Sequence, residues 1–108
     1  MTTFEIAINE LNLGHVDQIP FGEGRIFKIS EKEVAIFHSR NGNVYATQPR
    51  CPHKEGPLID GLMGGTTLVC PLHAWKFDLS SGEALFGNCG LKTYQVRLAE
   101  TGEILLTL

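Results

Sequence analysis

The sequence predicts an all-β fold, a small antiparallel sandwich or barrel, and three observations support this class. Apolar and polar residues alternate over several short segments, as they do in half-buried strands. Turns rich in glycine separate the segments at close spacing. Helical periodicity is weak throughout. We therefore expect about nine short strands in a single domain. The expected strands are Phe4–Ile8, Gly24–Ser30, Glu33–Ser39, Asn43–Thr47, Thr66–Cys70, Trp75–Leu79, Glu83–Leu85, Leu91–Leu98 and Glu103–Leu108.

The N-terminal part begins with a strand and then becomes less regular. Phe4–Ile8 alternates between apolar and polar residues. The segment Ile8–Gly24 has no clear period of either kind. We expect a helical turn over Asn9–Leu13 in it, followed by a loop.

The third and fourth expected strands are predicted to form a hairpin. Glu33–Ser39 is rich in β-branched and aromatic residues, and Asn43–Thr47 is its return strand. Asn41 and Gly42 lie between them. This pair predicts a two-residue turn, because both central positions of such a turn favour positive φ.

The second half contains strands on both sides of an irregular segment. Cys51–Leu79 is rich in glycine and proline and interrupts the strand pattern. Ser80–Gly82 and Thr101-Gly102 are turn sequences that lead into the strands after them. We expect one domain over residues 1–108, with a loop-built metal-binding subdomain at about residues 48–80 inserted in the β framework.

Composition and charge exclude several classes of protein. Hydrophobic residues make up 43% of the 108 residues and charged residues 19%, as in ordinary globular proteins. The net charge of −3 predicts no broad attraction to nucleic acid or to anionic membranes. No apolar run reaches the roughly 20 residues of a membrane span, and no signal-peptide pattern is visible. We therefore expect a cytoplasmic protein, where cysteine beside histidine indicates metal rather than a disulfide.

Two similar loops carry the candidate metal ligands. The first contains Cys51-Pro52-His53 and the second Cys70-Pro71-Leu72-His73. Residues i and i+2 of an extended segment point to the same side, so Cys51 and His53 can face one centre. Pro71 favours the turn that His73 needs to join Cys70.

Thiolate and imidazole ligands suit zinc or an iron–sulfur cluster. A structural zinc site with two cysteines and two histidines is one possibility, and its ligand set would be closed. Zinc fingers, however, usually pair cysteine with cysteine and place the histidines on a helix. Here each loop is mixed and no helical pattern follows.

The pattern Cys-x-His followed by Cys-x-x-His resembles that of the Rieske family of 2Fe-2S proteins. The flanks "CPHKEGPLIDG" and "CPLHAWKFDLSSGEA" are similar to the family as well. The resemblance implies a Rieske-type fold and a 2Fe-2S cluster. It also implies that Cys51 and Cys70 bind the inner iron, and His53 and His73 the outer iron. The residues expected to line the cluster are Pro52, Lys54, Gly56, Pro71, Leu72 and Trp75.

The resemblance also bears on the reduction potential. High-potential members of the family have an extra cysteine in each loop, and here Gly56 and Leu72 occupy those positions. They also have a serine and a tyrosine after the second histidine, and here Trp75 and Phe77 occupy those positions. Fewer hydroxyl donors to sulfur predict a potential toward the low end of the Rieske range.

The remaining marked residues are expected to be structural. Cys89 is predicted to be a small thiol in a turn, and His15 and His38 are predicted to be surface or satisfied structural histidines. We expect Trp75 and Phe77 to pack under the loops.

An apolar collar is expected at the cluster tip. It includes Gly56, Pro57 and Leu58, opposite Leu72 and Ala74.

A small low-potential Rieske protein resembles two groups. Its closing element "NCGLKTYQVRL" favours the small subunit of NAD(P)H-dependent assimilatory nitrite reductase. The alternative is the ferredoxin component of a ring-hydroxylating oxygenase system. Either resemblance implies electron transfer to or from a redox partner protein, which would be a flavin-dependent reductase or a large reductase or oxygenase subunit. Neither implies nucleic acid or a membrane as partner.

Overall fold

A computed structural model of the chain describes residues 10–52, 56–71, 75–86 and 90–107. These residues form short antiparallel strands and two turns of 3-10 helix, at Val16–Gln18 and Leu58–Asp60. The strands are β1 Glu10–His15, β2 Glu23–Ile29, β3 Lys32–His38, β4 Val44–Thr47, β5 Leu62–Gly64, β6 Thr67–Val69, β7 Lys76–Asp78, β8 Ala84–Phe86, β9 Thr93–Leu98 and β10 Glu103–Thr107. The all-β prediction is confirmed.

The larger of two sheets is a curled, six-stranded half-barrel. Its strand order is β1-β10-β9-β4-β3-β2, and every pairing is antiparallel. Glu10 at the start of β1 pairs with Thr107 at the end of β10. Arg97 on β9 donates two hydrogen bonds to the Glu10 carboxylate, at 2.7 and 2.9 Å. This ion pair joins two strands that have β10 between them.

The smaller sheet has the order β5-β6-β7-β8. Its inner row, Met63, Leu68 and Phe77, packs into the protein. The Ser39 hydroxyl on the β3–β4 loop donates to the Gly65 carbonyl at 3.1 Å, which ties this sheet to the framework. The small sheet is therefore fixed by both apolar packing and a hydrogen bond.

Strand β3 lies between two apolar cores. Val34 and Ile36 pack into the core of the larger sheet, together with Ile104 and Leu106. Ala35 and Phe37 point the other way, into a second core that contains both cysteines of the loops. Burial on both faces explains why β3 has a continuous apolar run instead of an alternating one.

The helical turn expected over Asn9–Leu13 is wrong. From Glu10 onward this segment is strand β1, which runs to His15 and pairs along β10. Its exposure does not alternate cleanly, and the pairing is irregular between Asn12 and His15, so the strand period was hard to detect. Helical conformation appears only after it, where the His15 ring accepts the Asp17 N–H. The expected strand Phe4–Ile8 lies outside the described residues.

The β3–β4 connection also differs from the expected two-residue turn. Ser39 N–H donates to the Asn43 carbonyl, so the loop between them has three residues. Gly42 has φ +92°, whereas Asn41 does not have positive φ. A type I turn followed by one left-handed glycine explains this arrangement. Gly42 N–H donating to the Ser39 carbonyl completes it.

Candidate metal centre

The first candidate loop is a short hairpin that follows β4. Cys51 N–H donates to the Gly56 carbonyl at 2.8 Å, which closes a loop of six residues. Just below it, Leu58 N–H donates to the Pro49 carbonyl at 3.0 Å. Cys51 is therefore fixed at the point where the paired backbone opens into the loop.

The second loop has the same closure. Cys70 N–H donates to the Trp75 carbonyl at 2.6 Å, again across six residues. It is the tip of the β6–β7 hairpin, in which Val69 pairs with Lys76. The two loops therefore present their cysteines in equivalent backbone positions, as one centre held by both would require.

The two cysteine side chains lie in one apolar core. Cys51 is 1% exposed and Cys70 is 2% exposed, and both pack with Leu58, Leu68 and Phe77. They are thiols and form no disulfide. Two buried sulfur donors, one from each loop, fit the inner half of the donor set of a Rieske cluster.

Four of the predicted site residues, together with Cys89, lie outside the described residues. These are His53, Lys54, Leu72 and His73. Within the ranges that the structure describes, no group of three potential ligands occurs, since only the two cysteines of the expected set are included.

The other predicted lining residues differ in exposure. Pro52 and Pro71, which follow the cysteines, are exposed, whereas Gly56 is buried. Trp75 is half-buried and packs against the core of the two thiols. Phe77 is fully buried in that core, and its ring centroid is 6.4 Å from that of Trp75. The expectation that this pair packs under the loops is confirmed.

The predicted apolar collar is wrong at Leu58. This residue is 0% exposed, because the 3-10 turn Leu58–Asp60 directs it into the core beneath the cysteines. In the described part of the smaller sheet, Leu62 is a large exposed apolar side chain, at 76%. It lies on edge strand β5 opposite Val69, the residue before Cys70. Leu72 and Ala74 of the expected collar lie outside the described residues.

Gln48 was missed by sequence reasoning. Its side chain donates to the Arg50 carbonyl at 2.7 Å and accepts the Lys92 N–H at 2.8 Å. Its own N–H donates to the Lys92 carbonyl at 2.9 Å. No local pattern could indicate this role, because Lys92 is 44 positions away along the chain.

The two described histidines are structural, as expected. His38 is 4% exposed, and its Nδ1 lies 2.7 Å from the Ile19 carbonyl. Because a carbonyl oxygen can only accept, Nδ1 carries the proton. The His15 Nδ1 accepts the Asp17 N–H at 3.1 Å and begins the first 3-10 turn.

An all-β fold that presents one buried thiol from each of two matched loops defines a small metal-cluster protein. Residues 9–95 match the family of the Rieske [2Fe-2S] domain, and the chain belongs to that family. Its cofactor is a Rieske [2Fe-2S] cluster, so the zinc alternative is set aside. The chain is thus a Rieske electron-transfer protein.

Known relatives include oxygenase ferredoxins. The chain is 34% identical over 92 residues to the ferredoxin component of the naphthalene 1,2-dioxygenase/salicylate 5-hydroxylase systems of Ralstonia sp., covering 83% of this chain and 88% of that one. It is 30% identical to the solved Sphingomonas yanoikuyae B1 ferredoxin, with a TM-score of 0.79 and coverage of 93% and 99%.

The fold is also that of a solved structure described as an NADH-dependent nitrite reductase small subunit from Mycobacterium tuberculosis. That match has a TM-score of 0.82, 20% identity, and coverage of 92% and 94%. At this identity the likeness concerns the fold alone. Among the described residues, no helix has the length and apolar character needed to cross a membrane.

Proposed function

We propose that this protein is the ferredoxin component of an oxygenase system. The observation that carries the proposal is the 34% identity with an oxygenase ferredoxin over most of both chains. The electron donor would be a flavin-dependent reductase and the acceptor an oxygenase component. This order of candidates reverses the one that the sequence alone favoured.

The proposed ligands are Cys51 and Cys70 for the inner iron, and His53 and His73 for the outer iron. Burial of both thiols and the identical closure of their loops support the cysteine half of this set. The cluster, when bound, supplies a couple that takes up and releases one electron. The cluster-binding part would cover about residues 48–80 of one domain, in keeping with the residue span of the loops and hairpins.

The protein's own residues keep the centre dry on one side. Leu58, Leu68 and Phe77 pack beneath the two thiols and exclude water from them. Pro52 and Pro71 are exposed beside the same thiols. The arrangement suits an electron carrier, since a partner needs access to one side only and no substrate has to enter.

The second candidate is the small subunit of an assimilatory nitrite reductase. The closing element "NCGLKTYQVRL" favours it. The solved nitrite reductase subunit adds no functional argument at 20% identity.

Electron transfer to two acceptors separates the candidates. The purified, chemically reduced protein would be mixed in a stopped-flow cell with an oxygenase component and its aromatic substrate, or with a sirohaem nitrite reductase large subunit and nitrite. We expect rapid reoxidation, followed by visible absorption, with the oxygenase and not with the reductase. Reoxidation by the sirohaem subunit alone would overturn the proposal in favour of the second candidate.

A further inference from the structure

The peptide group that joins Arg50 to Cys51 is held at both ends. Its carbonyl accepts the Gln48 side-chain amide at 2.7 Å, and its N–H donates to the Gly56 carbonyl at 2.8 Å. A peptide group is planar, so fixing both of its polar ends fixes its orientation. The direction in which the Cys51 Cα–Cβ bond leaves the backbone is then fixed as well.

The two loops differ in how the residue before the cysteine is held. Val69, before Cys70, is part of β6 and pairs with Leu62 on one side and Lys76 on the other. Arg50, before Cys51, forms only an isolated bridge with Pro57 outside the named strands. The hydrogen bonds that flank this bridge are made by the neighbouring residues, so the Arg50 carbonyl points away from the pairing.

Val69 has a neighbouring strand on each side, whereas the outward-pointing Arg50 carbonyl accepts a hydrogen bond from the Gln48 side chain. The Gln48 Oε1 accepts the Lys92 N–H. Since Lys92 leads directly into β9, the first loop is anchored to the framework through one glutamine. Both hydrogen bonds are accessible to solvent, so each is expected to contribute a modest free energy.

We propose that Gln48 is a positioning residue for the metal centre, which orients Cys51 toward the cluster by clamping the Arg50–Cys51 peptide to β9. The inference rests on the proposed role of Cys51 as a ligand. A second hydrogen-bonded layer of this kind typically tunes metal affinity and redox properties.

The first test compares Gln48→Met with Gln95→Met in the cluster-loaded protein. Gln95 is an exposed glutamine on β9 and provides the matched control. For Gln48→Met we expect altered g-values of the reduced cluster, an altered visible circular dichroism spectrum, and about five-fold faster loss of iron to a chelator, as expected for one lost hydrogen bond. Gln95→Met should match the wild type in all three measurements.

A second variant, Gln48→Glu, separates positioning from general stability. A carboxylate still accepts the Lys92 N–H, but it cannot donate to the Arg50 carbonyl. The spectral changes should therefore persist in Gln48→Glu. Normal spectra in Gln48→Glu beside altered ones in Gln48→Met would overturn the proposal, since the link to Lys92 would then account for the effect.

Two further outcomes are distinguishable. Wild-type spectra and iron release in both Gln48 variants would overturn this inference alone and leave the ligand assignment in place. A wild-type protein that shows no Rieske spectrum after reconstitution would overturn the ligand assignment and this inference together.

Discussion

At the scale of single residues, Trp75 and Phe77 occupy the two positions at which high-potential Rieske proteins have a serine and a tyrosine. Phe77 is fully buried in the core that contains both thiols, and Trp75 packs against that core. Neither side chain has an O–H group to donate to sulfur. Reduction adds negative charge to the cluster, and hydrogen bonds to sulfur stabilise that charge.

We therefore expect a midpoint potential in the lower part of the Rieske range of about −150 to +300 mV. Fewer donors leave the reduced form less stabilised, so the potential falls. Protein-film voltammetry at pH 7 measures it directly. A midpoint well above about +100 mV would contradict this role for Trp75 and Phe77.

At the same scale, part of the site could be predicted and part could not. The sequence indicated that Cys51 and Cys70 would lie together, because the two cysteine–histidine motifs are visible in the linear chain, and both are buried in one core. The burial of Leu58 was not, since it depends on a 3-10 turn that directs an ordinary leucine inward. Gln48 could not be found either, because its partner Lys92 approaches only when β4 and β9 pair.

At the scale of elements, predictability depended on how regularly a segment is buried. Strands β3 and β9 were predicted because their apolar residues follow a continuous run in β3 and a long alternation in β9. The three-residue strand β5 was missed, because Leu62 is exposed and Gly64 has no side chain, so no alternation is visible. Short strands of this kind are specified by their neighbours more than by their own sequence.

The turn between β7 and β8 is stabilised by the carboxylate of Asp78, a titratable group. Asp78 Oδ1 accepts the Ser80 hydroxyl at 2.6 Å and the Ser80 N–H at 2.9 Å. These hydrogen bonds favour the carboxylate and lower the pKa of Asp78 below its ordinary value of 3.8. A carboxyl whose pKa is lower in the folded state stabilises the fold above the unfolded pKa. That contribution is lost as the pH falls through the folded pKa.

Asp78→Asn should therefore lower the unfolding temperature at pH 7 by a small amount, about 1–3 °C, because the turn is solvent-accessible and its charge is screened. The difference between the two proteins should shrink below about pH 4, where the wild-type carboxyl becomes protonated too. Calorimetry at a series of pH values measures both effects. A difference that stays constant down to pH 2 would show that shape, not charge, is responsible.

At the scale of the whole molecule, the two cores have different dependence on the metal. The core of the larger sheet contains neither Cys51 nor Cys70, whereas the second core contains both. The first should be stable without the cluster. Strand β3 contributes Ala35 and Phe37 to the second core, but most of its other residues come from loops and three-residue strands. Those segments have little apolar area of their own to offset the entropy of ordering.

We expect Cys70→Ser to lose the cluster and to loosen residues 51–79, while the six-stranded sheet survives. Hydrogen exchange should show amide protection reduced at least about ten-fold in β5–β7, with β3 and β10 unchanged. Cys89→Ser is the matched control and should keep both the cluster and the protection. A Rieske spectrum in Cys70→Ser would refute the ligand assignment.

The pairing of Glu10 with Thr107 places the outermost described residues of the framework side by side, about 5 Å apart. A short linker could join Thr107 to Glu10 in a variant that omits the residues outside this range, and new ends could be opened in the exposed β3–β4 loop around Arg40 and Asn41. Such a circular permutant should still assemble its iron centre and keep its colour. The same adjacency would let a larger host protein carry this unit as an insert, entering and leaving it at a single point.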